Sequence, residues 1–199
     1  MTPERRASLF ELLETKALQQ GEYTLSAGGK SDFYFNTKMV TQDPQGLDLV
    51  ADAVLSAIKA YKVDAVGGIV FGAVPIATAA SLQSRLTDHP VTAFFVRHKA
   101  KEHGLRQQIE GPMDHVHRVA IVDDVVTSGR SVEDAVKAIQ ARGIEIAVIV
   151  SLVDRDAGGR QLLERYAPYA PVFERREFEA AGRLRRSSTA RAERMSALG

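Results

Sequence analysis

The sequence predicts an α/β fold: a mostly parallel, open twisted sheet flanked by helices, with a small N-terminal α+β cap over the carboxyl edge of the sheet. Three observations carry this expectation. From residue 43 onward, short apolar runs of strand length alternate with segments whose apolar residues recur at helical spacing, the pattern of a parallel sheet covered on both faces. The run at 119–122 is continuously apolar, as a strand buried in such a sheet must be. The first ~40 residues do not fit the alternation and so read as an addition to the sheet.

The elements follow in order. Thr2 and Pro3 read as the cap and first residue of a helix, since proline lacks an N–H that the first turn would leave unpaired anyway. Leu9, Leu13 and Ala17 line one face, and the helix is expected to fade near Gly21. Between 22 and 38 the period drops to two. Tyr23, Leu25, Phe33 and Phe35 alternate around an Ala27-Gly28-Gly29 turn, which reads as a hairpin or short strands. Asp43-Pro44 opens a second helix carrying Leu47, Val50, Ala51, Val54, Leu55 and Ile58 at helical spacing. A strand is expected at 63–70, a helix at 75–86, a strand at 91–96 and a long polar connection at 98–116. Next come a strand at 119–122 and a helix at 131–141 with Val132, Ala135, Val136 and Ile139 inward. A strand at 144–153, a helix at 160–166 and a short strand at 172–173 complete the series. The whole is expected to form one domain over 1–199, with a cap at 1–40, a core at 41–175 and an Arg-, Ser- and Ala-rich tail at 176–199.

Bulk composition narrows the function. Twenty-six basic residues face 25 acidic ones, a net charge of +1, so there is no general reason to expect a nucleic acid partner. The chain has no cysteine, which excludes disulfides and thiol catalysis. Its longest apolar stretch, 144–153, is interrupted by Glu145 and Ser151 and falls far short of the ~20 residues of a membrane helix. No apolar leader follows the charged N-terminus. A cytoplasmic protein with neither a nucleic acid nor a membrane partner is expected.

The chemistry concentrates at 119–131, Val-Ala-Ile-Val-Asp-Asp-Val-Val-Thr-Ser-Gly-Arg-Ser. An apolar strand delivers Asp123 and Asp124, and after Val125 and Val126 the chain enters a small-residue loop of Thr127, Ser128, Gly129, Arg130 and Ser131. A helix follows. Backbone N–H groups in such a loop at a helix N-terminus form an anion site. No Gly-Lys-Ser/Thr spacing is present, so it is not a Walker loop. Neighbouring strand residues point to opposite faces, so the two aspartates are expected not to act as a coupled dyad, one facing the ligand while the other braces the loop. The segment 97–104, Arg-His-Lys-Ala-Lys-Glu-His-Gly, places Arg97, Lys101 and His103 in a connection long enough to be a lid over an anionic leaving group. A second glycine-containing loop, Gly67-Gly-Ile-Val-Phe-Gly72, follows the strand before it.

The 119–131 stretch resembles the 5-phosphoribosyl 1-pyrophosphate (PRPP) motif of the type I phosphoribosyltransferases. Arg97, Lys101, His103 and Gly104 match the catalytic-loop pattern of the orotate phosphoribosyltransferases, with His98 where many members have lysine and Lys99 one position on. The segment 23–36 resembles their Thr-Leu-x-Ser-Gly stretch. Here Ala27 replaces the usual serine, Ser26 stands where some members carry a ligand-binding lysine, and Lys30 lies nearby. Gly72 occupies a place where some members have lysine, and Arg155 matches the arginine that faces the substrate. The resemblance spans roughly residues 8 to 175.

The resemblance implies transfer of phosphoribosyl from PRPP to orotate, giving orotidine 5′-monophosphate (OMP) and pyrophosphate. Residues 127–131 would hold the 5′-phosphate, preceded by Val125 and Val126 in the PRPP site, with Asp123 and Asp124 on the ribose side. Thr127, Arg155, Tyr34, Phe35 and Lys30 would meet orotate. Arg97, Lys101 and His103 would be catalytic, meeting the pyrophosphate. Mg²⁺ is implied, held mainly by substrate phosphates and waters rather than by a protein cage. So is a homodimer whose lid loops are shared between subunits. Two other readings are a type I phosphoribosyltransferase for a purine or uracil base, and a non-catalytic PRPP-sensing regulator that binds nucleic acid. A fused pyrimidine enzyme is disfavoured, since 199 residues leave no room for a decarboxylase domain.

Overall fold

Thr2 accepts a hydrogen bond from the Arg5 N–H and Pro3 follows it, so the first helix begins at the expected place: α1 spans Pro3–Leu12. The computed structural model describes residues 1–24, 30–98 and 108–184. After α1 a π-helical turn, Leu13–Ala17, carries the apolar face onward, and Leu9, Leu13 and Ala17 are all fully buried. The helix does not reach Gly21. The chain is already extended from Leu18, because β1 (Leu18–Thr24) pairs antiparallel with β2 (Lys30–Phe35), Leu18 opposite Phe35 and Thr24 opposite Lys30. The expected Ala27-Gly28-Gly29 turn lies outside the described residues.

A short helix that periodicity did not announce, α2 (Lys38–Thr41), leads into α3 (Pro44–Ile58). Asp43 caps α3 by accepting the Gly46 N–H at 2.9 Å, and Pro44 takes the first helical position. Beyond it lie β3 (Ala65–Ile69), α4 (Ala73–Ser84), β4 (Thr92–Val96), β5 (Ile109–Glu110), β6 (Arg118–Val126), α5 (Arg130–Gln140), β7 (Glu145–Asp154), α6 (Gly159–Leu163), β8 (Tyr169–Glu174) and α7 (Arg175–Ala180). The sheet order is β5-β4-β3-β6-β7-β8, parallel except that β5 runs antiparallel to β4.

Several boundaries differ from the sequence reading. Strand β6 does not stop at residue 122: its pairing with β7 continues to Val126 opposite Asp154, so both aspartates lie within the strand. The polar connection contains β5, held by Arg97 and Gln108 backbone pairing as well as its ladder. Helix α6 ends at Leu163, and β8 begins earlier than expected, at Tyr169. The expected tail contains α7, closed by a capping box between Glu174 and Glu177 and anchored by the fully buried Phe178, whose ring stacks on Phe10 at 4.6 Å.

Each face of the sheet carries its own apolar cluster. One joins alternate residues of the central strands (Val66, Ala120, Val122, Val148, Val150) to α3, α4 and the cap residues Leu9, Leu13, Phe33 and Phe35. The other joins Ala65, Val119, Ile121 and Ile149 to α5 and to Leu163 of α6. Among the described residues no helix is long and apolar enough to cross a membrane. Strand order runs outward in both directions from the β3/β6 pair, which opens a crevice at their carboxyl ends, the place where open α/β sheets take ligands.

Candidate active site

At that crevice the ends of β6 and β7 meet β2 of the cap and enclose a cavity of about 400 Å³. Tyr34, Phe35, Asp123, Asp124, Val125, Val126, Thr127, Ser128, Gly129, Arg130, Ser131 and Arg155 all line it. Residues far apart in the chain, singled out for different reasons, therefore share one space. Arg97 stands apart at the end of β4, with its side chain exposed and its guanidinium 3.4 Å from Glu110. Lys101 and His103 lie outside the described residues, and of Lys30 only the backbone at the start of β2 is described.

The small-residue loop turns at Gly129, whose φ of +77° is left-handed backbone that glycine adopts without a Cβ penalty. Helix α5 starts at Arg130, one residue before the expected Ser131. Gly129 has no side chain to cap its first turn, and its carbonyl accepts the Glu133 N–H at 2.9 Å. The first-turn amides thus have no side-chain cap, and the helix dipole adds to their pull on an anion.

The two aspartate carboxylates lie close together beside the β3–α4 loop, where strand alternation alone would part them. A carbon built on Gly72 would lie 2.5 Å from Asp124 Oδ1 and 2.8 Å from Asp123 Oδ1, so both carboxylates converge on one carbon-sized space beside the β3–α4 loop. Each curls back along its own chain: Asp123 Oδ1 accepts the Asp124 N–H at 3.0 Å and Asp124 Oδ1 accepts the Val125 N–H at 2.9 Å. Such local bonds pull a side chain off the perpendicular that simple alternation assumes. Asp123 is only partly shielded at its surface yet sits deep among protein atoms. Desolvation, and then the charge of Asp124, push its carboxyl well above the ordinary range, opposed by the Asp124 N–H.

Asp124 is fixed at its other oxygen too, where Oδ2 accepts the Thr37 hydroxyl at 2.5 Å. Thr37 precedes α2 and is 1% exposed, yet its hydroxyl caps no helix amide. No local signal marks Thr37, because its partner is 87 positions away. Lys38, the next residue, also lines the cavity and was not singled out. It adds a cation beside the aromatic pair.

Arg155 follows β7 and is 6% exposed. Its Nη2 donates to Ser31 Oγ at 2.8 Å and to the Phe33 carbonyl at 3.2 Å, while its guanidinium lies 4.5 Å from the Phe33 ring centroid. Arg175 of α7 sits 4.7 Å from the same ring. Burial, and then the charge of Arg175, lower the pKa of Arg155. Tyr34 is 37% exposed at the cavity, whereas Phe35 is 3% exposed and packs edge-on against Phe33 and Phe178. Phe35 contributes to the wall while most of its ring belongs to the core.

Similarity to known proteins agrees with this geometry. A family model described as the phosphoribosyl transferase domain matches residues 36–180. An orotate phosphoribosyltransferase from Rhodopseudomonas palustris (strain TIE-1) is 40% identical over 178 residues, covering 87% of this chain and 95% of the relative. Crystal structures of the Mycobacterium tuberculosis H37Rv orotate phosphoribosyltransferase superpose well. The complex with Fe(III) dicitrate gives a TM-score of 0.74 at 32% identity, covering 86% of this chain and 97% of that one. The complex with PRPP gives 0.70 at 29% identity, covering 85% and 96%.

Proposed function

Since the chain belongs to the phosphoribosyl transferase domain family, and within it to the orotate phosphoribosyltransferases, we propose that the cavity between the cap and the sheet edge is where its reaction takes place. The enzyme transfers 5-phosphoribosyl from PRPP to orotate in pyrimidine biosynthesis, giving OMP and pyrophosphate. In our reading the 127–131 loop holds the 5′-phosphate through backbone amides and the Thr127, Ser128 and Ser131 hydroxyls. Asp124, held from both sides, faces the ribose hydroxyls beside Asp123. Arg155 turns the rest of its guanidinium fork toward the carboxylate or a ring carbonyl of orotate, with Tyr34 against the ring.

The bond from the anomeric carbon to pyrophosphate oxygen breaks, a bond to a ring nitrogen of orotate forms, and that nitrogen's proton is released. The chain contributes mainly position and charge. Arg97, Lys101 and His103 neutralise the departing pyrophosphate. The acidic end of β6 beside Gly72 fits a site in which Mg²⁺ would be held mainly by substrate phosphates and waters rather than by a protein cage. When bound, it offsets pyrophosphate charge. We further propose a homodimer with shared lid loops. The enzyme works in the cytoplasm, where highly charged PRPP stays on one side of a membrane.

The observation that carries this reading is the meeting of the phosphate loop, the paired acids and Arg155 on one cavity. Pyrophosphate release from PRPP, followed with orotate, uracil and hypoxanthine in turn, tests it. Turnover with orotate alone is expected. Comparable turnover with uracil or hypoxanthine would remove the role given to Arg155, and no turnover with any base would point to a sensing role.

A further inference from the structure

The turn that enters α6 packs against the phosphate loop. Gly159 is buried there, and a methyl group at its α-carbon would come 2.4 Å from Val126 Cγ1, 2.7 Å from the Thr127 carbonyl oxygen and 3.2 Å from the Gly129 nitrogen. Two of these three atoms are backbone of the loop itself. The packing is reciprocal: a methyl on Gly129 would meet Leu163 Cγ at 3.2 Å and the Gly159 carbonyl oxygen at 3.3 Å. Loop and turn therefore approach backbone to backbone, with the Val126 and Leu163 side chains packed beside the contact.

Helix α6 has little freedom to retreat. Leu163 is fully buried against Val126 and the α5 face in one apolar cluster, and Arg160 Nη2 pairs with Glu174 Oε1 at 3.0 Å. A side chain at 159 is thus relieved mostly by movement of the phosphate loop. The neighbouring Gly158 makes the contrast. Its φ is +89°, but a methyl group there meets nothing within 4 Å.

We propose that Gly159 is a positioning residue for PRPP: its bare α-carbon sets the path of Thr127 and Gly129 and so the aim of the loop amides at the 5′-phosphate. This rests on the reading that the 127–131 loop holds that phosphate. Steady-state kinetics with Gly159→Ala should show KM for PRPP raised at least roughly tenfold, since a misplacement of about 1 Å can cost up to about 100-fold. Inhibition by inorganic phosphate should weaken in parallel, while KM for orotate and kcat at saturating PRPP change little. Gly158→Ala should lower the melting temperature through backbone strain and leave KM for PRPP alone.

If Gly159→Ala does not fold, Val126→Ala/Gly159→Ala removes the nearest collision but keeps the one with the Thr127 carbonyl. It should fold and still bind PRPP weakly. A normal KM for PRPP in either folded variant overturns the proposal, as does loss of folding in both, which would mark Gly159 as structural only. Ser128→Ala separates the two levels. If it leaves KM for PRPP and phosphate inhibition unchanged, the phosphate-loop reading fails. If it raises KM while Gly159→Ala does not, only the role of Gly159 fails.

Discussion

Replacing Thr37 with valine deletes one hydroxyl and keeps the shape of the side chain. The hydroxyl donates to Asp124 Oδ2 at 2.5 Å from a residue that is 1% exposed, so no water takes its place without rearrangement. A hydrogen bond to a charged group contributes about 1.5–3 kcal/mol net. Asp124 keeps the Val125 N–H on its other oxygen and part of its surface toward the cavity, which favours the lower end, about 1.5 kcal/mol. For a chain of this length that is a fall in melting temperature of roughly 3–6 °C. If Asp124 faces the ribose as proposed, the freed carboxylate also loses its aim there, so KM for PRPP should rise several-fold while KM for orotate stays near its parent value. Thermal melts and two-substrate kinetics read both effects, and Thr37→Ser should restore both because it keeps the donor. Parental melting temperature and parental KM for PRPP in Thr37→Val would refute the argument. Equal damage in Thr37→Ser would show that the methyl group mattered rather than the hydroxyl.

Two further outcomes follow from the same chemistry. Lys101→Ala should cut kcat by at least tenfold, as loss of one charge-stabilising donor does, with an unchanged melt; near-parental kcat would remove Lys101 from the mechanism. Asp123→Asn should separate stability from activity. Its folded-state pKa is raised, so the favourable contribution of the protonated acid is complete below the unfolded value of about 3.9 and is lost as pH rises through the folded one. The asparagine variant, free of that loss, should melt higher than the parent at pH 8 and converge with it near pH 4. It should also turn over more slowly, and a melting difference independent of pH would contradict the sign.

Much of the fold was legible because its cues are local. Thr2-Pro3 and Asp43-Pro44 are caps that act within four residues, and both start helices where expected. The alternation of apolar runs reports burial on both faces of a parallel sheet, and the 119–131 motif packs strand, acids and anion loop into thirteen neighbouring positions. Boundaries failed where pairing, rather than propensity, sets the length. The β7 ladder draws β6 on past Asp123 and Asp124, and Leu18 leaves the helical path because Phe35 is its partner. Helix α7 falls in the expected tail because a short charged segment shows no periodicity; the pocket of Phe10, Phe35 and Phe173 around Phe178 gives it a buried face.

By itself, then, the sequence determined the layer architecture, the anion loop and the residue types offered to the substrate, since each depends on spacing of a few positions. Which of those residues act together was decided by tertiary structure. Thr37 reaches Asp124 across 87 positions, and Ser31 reaches Arg155 across 124. The two aspartates converge because each folds back onto the next amide beside Gly72. The bare Gly159 lies against the phosphate loop because α6 is pinned to the sheet by Leu163 and Arg160. Contacts of this kind arise from strand order and close packing, where a fraction of an ångström changes which atoms meet, and no local pattern of residues encodes them.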